Sequence, residues 1–247
     1  MGLLSMVAPE ACTAIYKLCK PGSAGGNTRF IGREKKFIYE DAIISYMNFL
    51  LRIPLNANAE QLVRLKALQA AFALVCNALA PTVQQTRVWN RVALHHLTYH
   101  KLRERFPELG SQMVCNAIYS VSRTCRVVFQ HAQSPFNLNK LADKPLPLLR
   151  FSDSCPVYFD RHTLSVKNGQ LSMFTLDGRM RFALALTSTD EANFNEKKLR
   201  EIVLSCRADG VYELSFLFDD EQGKKASELL DSGKSEVPEY VMVEESS

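Results

Sequence analysis

The sequence lacks the patterns that would assign it to several common functional classes. No apolar run reaches the roughly 18 to 20 residues of a membrane-spanning helix, and residues 1–20 lack the charged lead of a secretory signal. The Gly-x-Ser-x-Gly elbow of serine hydrolases and the Gly-x-x-x-x-Gly-Lys-Ser/Thr phosphate loop are also absent. These absences predict a soluble cytoplasmic protein that has no membrane partner and belongs to neither enzyme class.

The chain has seven cysteines, but no two form a Cys-x-x-Cys pair. Their odd number and wide scatter favour neither a zinc ribbon nor a disulfide framework. Cys76, Cys115 and Cys125 lie among apolar residues of helical segments, where reduced core thiols are expected. The cysteines therefore predict no metal site and no cofactor.

His96 and His100 have the i, i+4 spacing of a metal-binding pair on a helix. Leu97, Thr98 and Tyr99 lie between them, so the glutamate of a zinc-protease helix is missing. This favours histidines that are packed in the core, or that face solvent or a phosphate-bearing ligand. No metal ligand is predicted here.

Charge is unevenly distributed along the 247 residues, whose net charge is +4. Residues 213–247 contain ten acidic residues against three lysines, so residues 1–212 carry about +11. A basic body is compatible with a polyanionic partner, and an ordinary solvated surface is the alternative.

Helical periodicity dominates the first half of the chain. Asn58 and Gln61 have capping-box spacing and predict a helix that starts there and ends at Pro81. Further apolar stripes predict helices over about residues 83–106 and 111–130, and these three helices can form a compact bundle. A helix is also predicted over residues 40–51, followed by a short strand over 52–55.

From residue 146 the apolar period changes from 3.6 to 2, which indicates strands. Lys167-Asn168-Gly169 and Asp209-Gly210 have the composition of hairpin turns, and several short antiparallel strands suggest a small β-barrel. The composition after Asp220 predicts a mostly disordered acidic tail.

The predicted fold class is therefore α+β. We expect an N-terminal extension with a Gly/Ser linker over residues 1–51, a helical lobe with a leading strand over 52–145, a β-barrel over 146–220 and an acidic tail over 221–247.

Basic, aromatic and amide side chains recur along the second and third predicted helices. Guanidinium and ammonium groups neutralise phosphates, while amides and aromatic rings read bases or stack on them. The combination is typical of nucleic-acid binding, although a charged helix surface over an apolar stripe would have a similar composition. The set comprises Arg87, Trp89, Asn90, Arg91, Tyr99, Lys101, Arg103, Arg105, Gln112, Asn116, Tyr119, Arg123 and Arg126.

The order of these segments resembles that of transposon-encoded TnpB proteins over about residues 52–218. Residues 52–61 (RIPLNANAEQ) and the helix to Asn77 resemble the opening strand and helix of the family, with Asn56 where proline is usual. Residues 99–128 resemble its recognition lobe. Three further segments resemble the wedge barrel of the family and the strand that leads into its nuclease domain. They are Phe159-Asp160-Arg161, residues 171–179 and residues 209–214.

TnpB proteins are RNA-guided DNA nucleases related to CRISPR type V effectors. Their catalytic Gly-x-Asp-x-Gly strand belongs to a RuvC-like domain, but residues 219–224 read DDEQGK and no such strand follows. Asp219, Asp220 and Glu221 follow a predicted strand, where metal-binding carboxylates are expected. The charged residues around them favour the interpretation that they are solvent-exposed residues and not metal ligands. The resemblance therefore implies a protein that binds guide RNA and target double-stranded DNA without cleaving, with no catalytic residue in this chain.

The resemblance also assigns roles to individual residues. Ser111, Gln112 and Asn116 begin the helix that resembles the segment reading duplex DNA. Contacts to RNA or heteroduplex backbone are expected from basic side chains, by shape and charge more than by base identity. These predicted RNA contacts are Arg87, Arg91, Arg123, Arg126, Arg161, Lys167, Arg179 and Arg181.

Two alternatives stay open at this point. The chain could be the binding half of a split endonuclease that is completed by a separate RuvC-like chain, or act together with a transposase. It could instead be a plain protein-interaction module, in which case the arginines would have no nucleic-acid role.

Overall fold

Five α-helices, one π-helix and nine strands make up the part of the chain that the structure describes. It is a computed structural model, and it describes residues 49–141, 144–219 and 237–245. The helices are α1 (Ala59–Thr86), α2 (Arg91–Arg105), α3 (Ser111–Cys125) with a π-helix (Arg126–Gln130) directly after it, α4 (Leu138–Leu141) and α5 (Ser188–Glu196). The strands are β1 (Phe49–Pro54), β2 (Leu148–Phe151), β3 (Val157–Phe159), β4 (Leu164–Lys167), β5 (Gln170–Thr175), β6 (Gly178–Ala183), β7 (Lys198–Cys206), β8 (Tyr212–Asp219) and β9 (Val241–Glu244). The α+β class is confirmed.

Helix α1 begins at the predicted capping box. The Gln61 backbone N–H donates to the Asn58 side chain at 2.9 Å, and the Asn58 N–H donates to the Gln61 side chain at 3.0 Å. The predicted end at Pro81 is wrong, because the helix continues to Thr86. Proline removes one backbone hydrogen bond, but the residues around it are buried, and this packing keeps the helix intact.

The end of α1 is set by Arg87, whose φ of 56° is left-handed and whose N–H donates to the Val83 carbonyl at 2.8 Å. Asn90 then caps α2, accepting hydrogen bonds from the backbone N–H groups of Val92 and Ala93. The second predicted helix therefore starts at Arg91 and not near residue 83. The third predicted helix is confirmed as α3 and the π-helix.

Helix α1 is apolar over most of its surface. Among the described residues it alone is long and apolar enough to cross a membrane by length and composition, a test that core helices also pass. In this fold it contacts α3, α2, β2 and β5. Its buried residues, including Leu65, Phe72 and Leu79, lie in the central core.

The strands form three antiparallel sheets in the described residues. The largest has the order β1-β8-β7-β3, the second pairs β2 with β9, and the third has the order β4-β5-β6. Residues 49–51, expected to be helical, instead belong to β1, which pairs with β8 from Phe49↔Phe218 to Pro54↔Glu213. The rest of the helix predicted over residues 40–51 lies outside the described residues.

Both predicted hairpin turns are confirmed. Asn168 and Gly169 have φ of 51° and 67°, the left-handed pair of a two-residue hairpin turn, and they join β4 to β5. Gly210, with φ of 83°, lies in the turn that joins β7 to β8.

The predicted closed barrel is not found among the described residues. A barrel needs its edge strands to pair with each other. Here β1, which precedes the helices in sequence, occupies one edge of the four-stranded sheet and β3 the other, while β4, β5 and β6 pair only among themselves. The helices and the strands share one hydrophobic core.

Side-chain amides connect α1 to the strands. Asn77 makes two hydrogen bonds of 2.8 Å with the Phe151 backbone, one as donor and one as acceptor. The Gln69 side chain donates to the Cys155 carbonyl at 3.1 Å and accepts from the Tyr212 hydroxyl at 2.9 Å. These hydrogen bonds satisfy polar groups that would otherwise have no partner where the helix packs against the strands.

The expected disorder of residues 221–247 is wrong for Val241–Glu244. These residues form β9, which pairs with β2 from Leu148↔Glu244 to Phe151↔Val241. Residues 221–236 and 246–247 of the expected tail, and all but the last three residues of the predicted extension 1–51, lie outside the described residues.

Candidate nucleic-acid interface

A cavity of about 440 Å³ opens where α2, α3 and the π-helix meet, and we call it the Trp89 cavity. Its walls come from the α1–α2 linker, the first residue of α2, one side of α3 and the exposed side of the π-helix. It is lined by Trp89, Asn90, Arg91, Tyr119, Ser122, Arg126 and Gln130.

A second cavity, of about 320 Å³, lies between α2 and α3 and is called the His95 cavity. It is lined by Arg91, Val92, His95, Gln112, Cys115 and Ile118. Burial raises the pKa of the Cys115 thiol, and the nearby Arg91 opposes that rise. The thiol is therefore protonated near neutral pH.

A third cavity, of about 400 Å³, separates the start of α3 from the three-stranded sheet and is called the His162 cavity. Ser111 and Gln112 of α3 line one side, and His162 and Phe174 line the other. Gln112 crosses towards the strands, donating to the Asp160 carboxylate at 2.5 Å.

The three cavities share lining residues. Arg91 belongs to both the Trp89 and the His95 cavities, and Gln112 belongs to both the His95 and the His162 cavities. They therefore lie next to one another in a row from the π-helix, along α2 and α3, to the three-stranded sheet. We call this row of cavities the α3 groove.

The outer face of the three-stranded sheet adjoins the end of this groove at Phe174. Alternation buries Leu171, Met173, Met180 and Phe182 on one face. Lys167, Arg179 and Arg181 are exposed on the opposite face, since cross-strand partners share a face. The Arg179 guanidinium lies 4.1 Å from the centroid of the Phe174 ring, a cation–π contact.

The Arg123 side chain forms an ion pair within the protein. Its Nη1 lies 2.6 Å from the Glu201 carboxylate on β7, and the Tyr119 hydroxyl donates to the same carboxylate at 3.3 Å. Burial, reinforced by Glu201, raises the pKa of Tyr119, while Arg123 lowers it. Arg91 covers the Tyr119 ring at 5.2 Å from its centroid.

The other predicted contacts are dispersed. Arg87 donates to the Lys144 carbonyl at 2.7 Å beside the end of α1, and Arg161 is exposed in the turn between β3 and β4. Asn116, a predicted DNA contact, is 5% exposed and its Nδ2 has no hydrogen-bond partner among the described residues. The α3 groove therefore contains Arg91, Arg126, Ser111 and Gln112 but not Arg87, Arg123, Arg161 or Asn116.

Several residues in or beside the cavities were not foreseen from the sequence. Phe174 could have been found, because the alternation that buries Leu171 and Met173 leaves an aromatic side chain facing outwards. Glu201 could not, since the contact between α3 and β7 depends on the whole fold. Ser122 and Gln130 carry no local signal of their position in a cavity.

No group of three or more metal-binding side chains occurs in the described ranges, so the His96 and His100 pair has no third ligand there. The cysteines at 76, 115, 125, 155 and 206 are free thiols. Asp220 and Glu221, and the side chain of Asp219, lie outside what the structure describes. Comparison with known proteins found no family model and no curated sequence that matches this chain.

Proposed function

We propose that this chain binds nucleic acid along the α3 groove and the outer face of the three-stranded sheet, as a TnpB-like RNA-guided DNA-binding protein without a nuclease domain. In this role it holds a guide RNA and target double-stranded DNA and does not cleave either. A separate RuvC-like or transposase protein would supply any cleavage, and the site of action would be the nucleoid of a prokaryotic cytoplasm.

The row of neighbouring cavities that makes up the α3 groove, with cations along it that are unpaired in the described ranges, is the observation that carries this function. Its cationic groups Arg91 and Arg126 have no carboxylate partner among the described residues, and neither do Lys167 and Arg181 on the sheet. Uncompensated cations that line a concave path attract a polyanion and release its counterions on binding.

Aromatic rings beside these cations favour nucleic acid over other polyanions. Tyr119 lies under Arg91, and Phe174 lies under Arg179. Planar rings and guanidinium groups stack on bases, which a simple polyphosphate or an acidic peptide does not provide. The ordered resemblance of residues 52–218 to TnpB proteins adds the RNA-guided character.

Duplex DNA is proposed to contact the start of α3. Ser111 is exposed there, and the free N–H groups of the first turn favour phosphate. Gln112 reaches this end of the groove but is held by Asp160, so it would have to exchange that bond for a base edge. Asn116 is buried and is not part of the proposed DNA contact.

A salt titration of RNA binding tests this function. The probe is a labelled RNA hairpin, and affinity is measured by fluorescence anisotropy at several salt concentrations. We expect the Lys167→Ala, Arg181→Ala double variant to bind more weakly and to reduce the log–log salt slope by about two, since two phosphate contacts are lost.

The matched control is the Arg150→Ala, Arg207→Ala double variant, which removes the same charge. Those two arginines pair with Glu244 and Asp209 respectively, so their charge is already compensated. We expect this control to change the salt slope much less. Absence of hairpin binding by the unmodified protein at low salt, or equal effects of the two double variants, would contradict RNA binding by the sheet face.

A further inference from the structure

The Trp89 cavity is built from a sharp change of chain direction between two helices. Arg87 ends α1 in a left-handed conformation, and this turn carries Trp89 into the core, where its ring centroid lies 5.6 Å from that of Phe129. Asn90 then starts α2 by accepting hydrogen bonds from the Val92 and Ala93 N–H groups. The cavity floor is thus fixed by packing and by a helix cap.

The π-helix forms the opposite wall. Val128 and Phe129 are buried, which leaves Arg126 and Gln130 exposed on the cavity side. Single π-helical turns are rare and often occur at functional sites, since the wider turn moves side chains relative to a regular helix.

The cavity is electropositive. Arg91 and Arg126 line it from opposite helices, and neither forms an ion pair within the described ranges. Glu201, which accepts from the Tyr119 hydroxyl of this cavity, is already paired with Arg123. The start of α2 adds the positive end of a helix dipole.

The remaining groups suit a nucleobase. The exposed Gln130 amide can donate and accept hydrogen bonds, and Trp89 and Tyr119 provide aromatic walls. Ligand pockets measure about 300 to 1,000 Å³. At about 440 Å³ this one is small and matches a single nucleotide better than a duplex.

We propose that the Trp89 cavity holds one unpaired nucleotide of the bound RNA, with its phosphate between Arg91 and Arg126 and its base edge against Gln130. This inference rests on the proposed RNA binding and specifies one subsite of it. A duplex cannot present a single base to so small a cavity, so the cavity selects RNA that has a single-stranded extension.

Two RNA probes separate this subsite from general RNA binding. One is a labelled hairpin, and the other is the same hairpin with a single-stranded uridine tail that contains 5-iodouridine for photocrosslinking. We expect the tail to increase affinity about tenfold, as one stacked base and one phosphate contact would. Irradiation is expected to crosslink the tail to Trp89 or Tyr119, located by mass spectrometry of the digested complex.

Gln130→Glu is the decisive variant, because it nearly preserves the size of an exposed side chain while placing a carboxylate beside both arginines. We expect it to abolish the benefit of the tail, so that the affinity for the tailed hairpin falls about tenfold more than the affinity for the plain hairpin. Gln85→Glu makes the same chemical change on an exposed residue of α1 outside the cavity and is the control. Both variants are checked for unchanged thermal melting.

The possible outcomes distinguish the nucleotide subsite from general RNA binding. Hairpin binding with no benefit from the tail, or a Gln130→Glu loss that is equal for both probes, would overturn the subsite and leave general RNA binding intact. Binding of neither probe would overturn both. Displacement of the tail by uridine monophosphate supports a nucleotide site, whereas binding of the monophosphate without any tail effect would indicate a free nucleotide and overturn the RNA subsite.

Discussion

Individual arginines in this protein fall into two groups that the sequence does not distinguish. Arg123 is 25% exposed and faces Glu201, which is 10% exposed, whereas Arg207 and Asp209 are both 50% exposed. Partial removal from water strengthens the attraction within the first pair and also makes either partner costly to leave alone. An exposed pair gains little because water and salt screen it.

Replacing Glu201 by glutamine should therefore destabilise the protein. We expect Glu201→Gln to lower the free energy of unfolding by about 2 kcal/mol, since Arg123 keeps its charge in a half-buried site and loses the Glu201 carboxylate. Asp209→Asn is the matched control and should change it by less than about 0.5 kcal/mol. Urea denaturation measures both, and equal effects would mean that the contact between α3 and β7 contributes no more than a surface pair.

At the scale of single elements, local signals in the sequence predicted where chain segments begin and turn. The Asn58 and Gln61 capping box and the Asn168-Gly169 and Asp209-Gly210 turns were predicted correctly, because each is determined by a few neighbouring residues. The predicted end of the helix at Pro81 was wrong, because the burial of the residues around Pro81 outweighs the low helix propensity of proline.

Pairing between distant strands could not be predicted in the same way. β1 joins β8 across more than half the chain, and β9 joins β2, so both depend on the assembled core and not on neighbouring residues. The position of the candidate site could not be predicted from local sequence either. The sequence indicated Arg91, Tyr119 and Arg126 as a basic and aromatic set, but their meeting in one cavity follows from how α2 packs on α3.

The pairing of β9 with β2 gives a direct test of an element that composition had suggested to be disordered. Val241 is 6% exposed and Met242, its neighbour on the same strand, is 62% exposed. We expect Val241→Ala to lower the free energy of unfolding by about 1 to 2 kcal/mol, because buried methyl groups are lost and a cavity forms. Met242→Ala should change it by less than about 0.5 kcal/mol.

Denaturant titration of the two variants distinguishes a docked strand from a detached tail. If both substitutions are neutral, β9 does not contribute to the folded state. If both are equally destabilising, the inward and outward faces of the strand are not as the pairing with β2 requires.

At the scale of the whole molecule, tyrosines connect the helices to the strands. Tyr158 of β3 packs edge to face on Tyr119 of α3, and the Tyr212 hydroxyl of β8 donates to Gln69 of α1. Tyr240, directly before β9, hydrogen-bonds with Thr124 of α3. Burial raises the pKa of all four hydroxyls, so ionising any of them opposes the docking of helix on sheet.

The docked state should therefore weaken in alkali, and Tyr240 offers the cleanest measurement. Burial raises the pKa of Tyr240 to about 12, partly offset by the Thr124 hydrogen bond, against about 10 in the unfolded chain. Below pH 10 the hydroxyl is protonated in both states. As the pH rises towards 12, only the unfolded state loses the proton, and the free energy of unfolding falls by up to about 1.4 kcal/mol per pH unit.

Tyr240→Phe should make that alkaline decline shallower, even if loss of the Thr124 hydrogen bond lowers stability equally at every pH. Lysines also titrate in this range, so the difference between the variant and the unmodified protein is the quantity to follow by urea denaturation at each pH. Identical slopes would show that the Tyr240 hydroxyl ionises as readily in the folded protein as in the unfolded chain. The segment before β9 would then not be docked on α3 in solution.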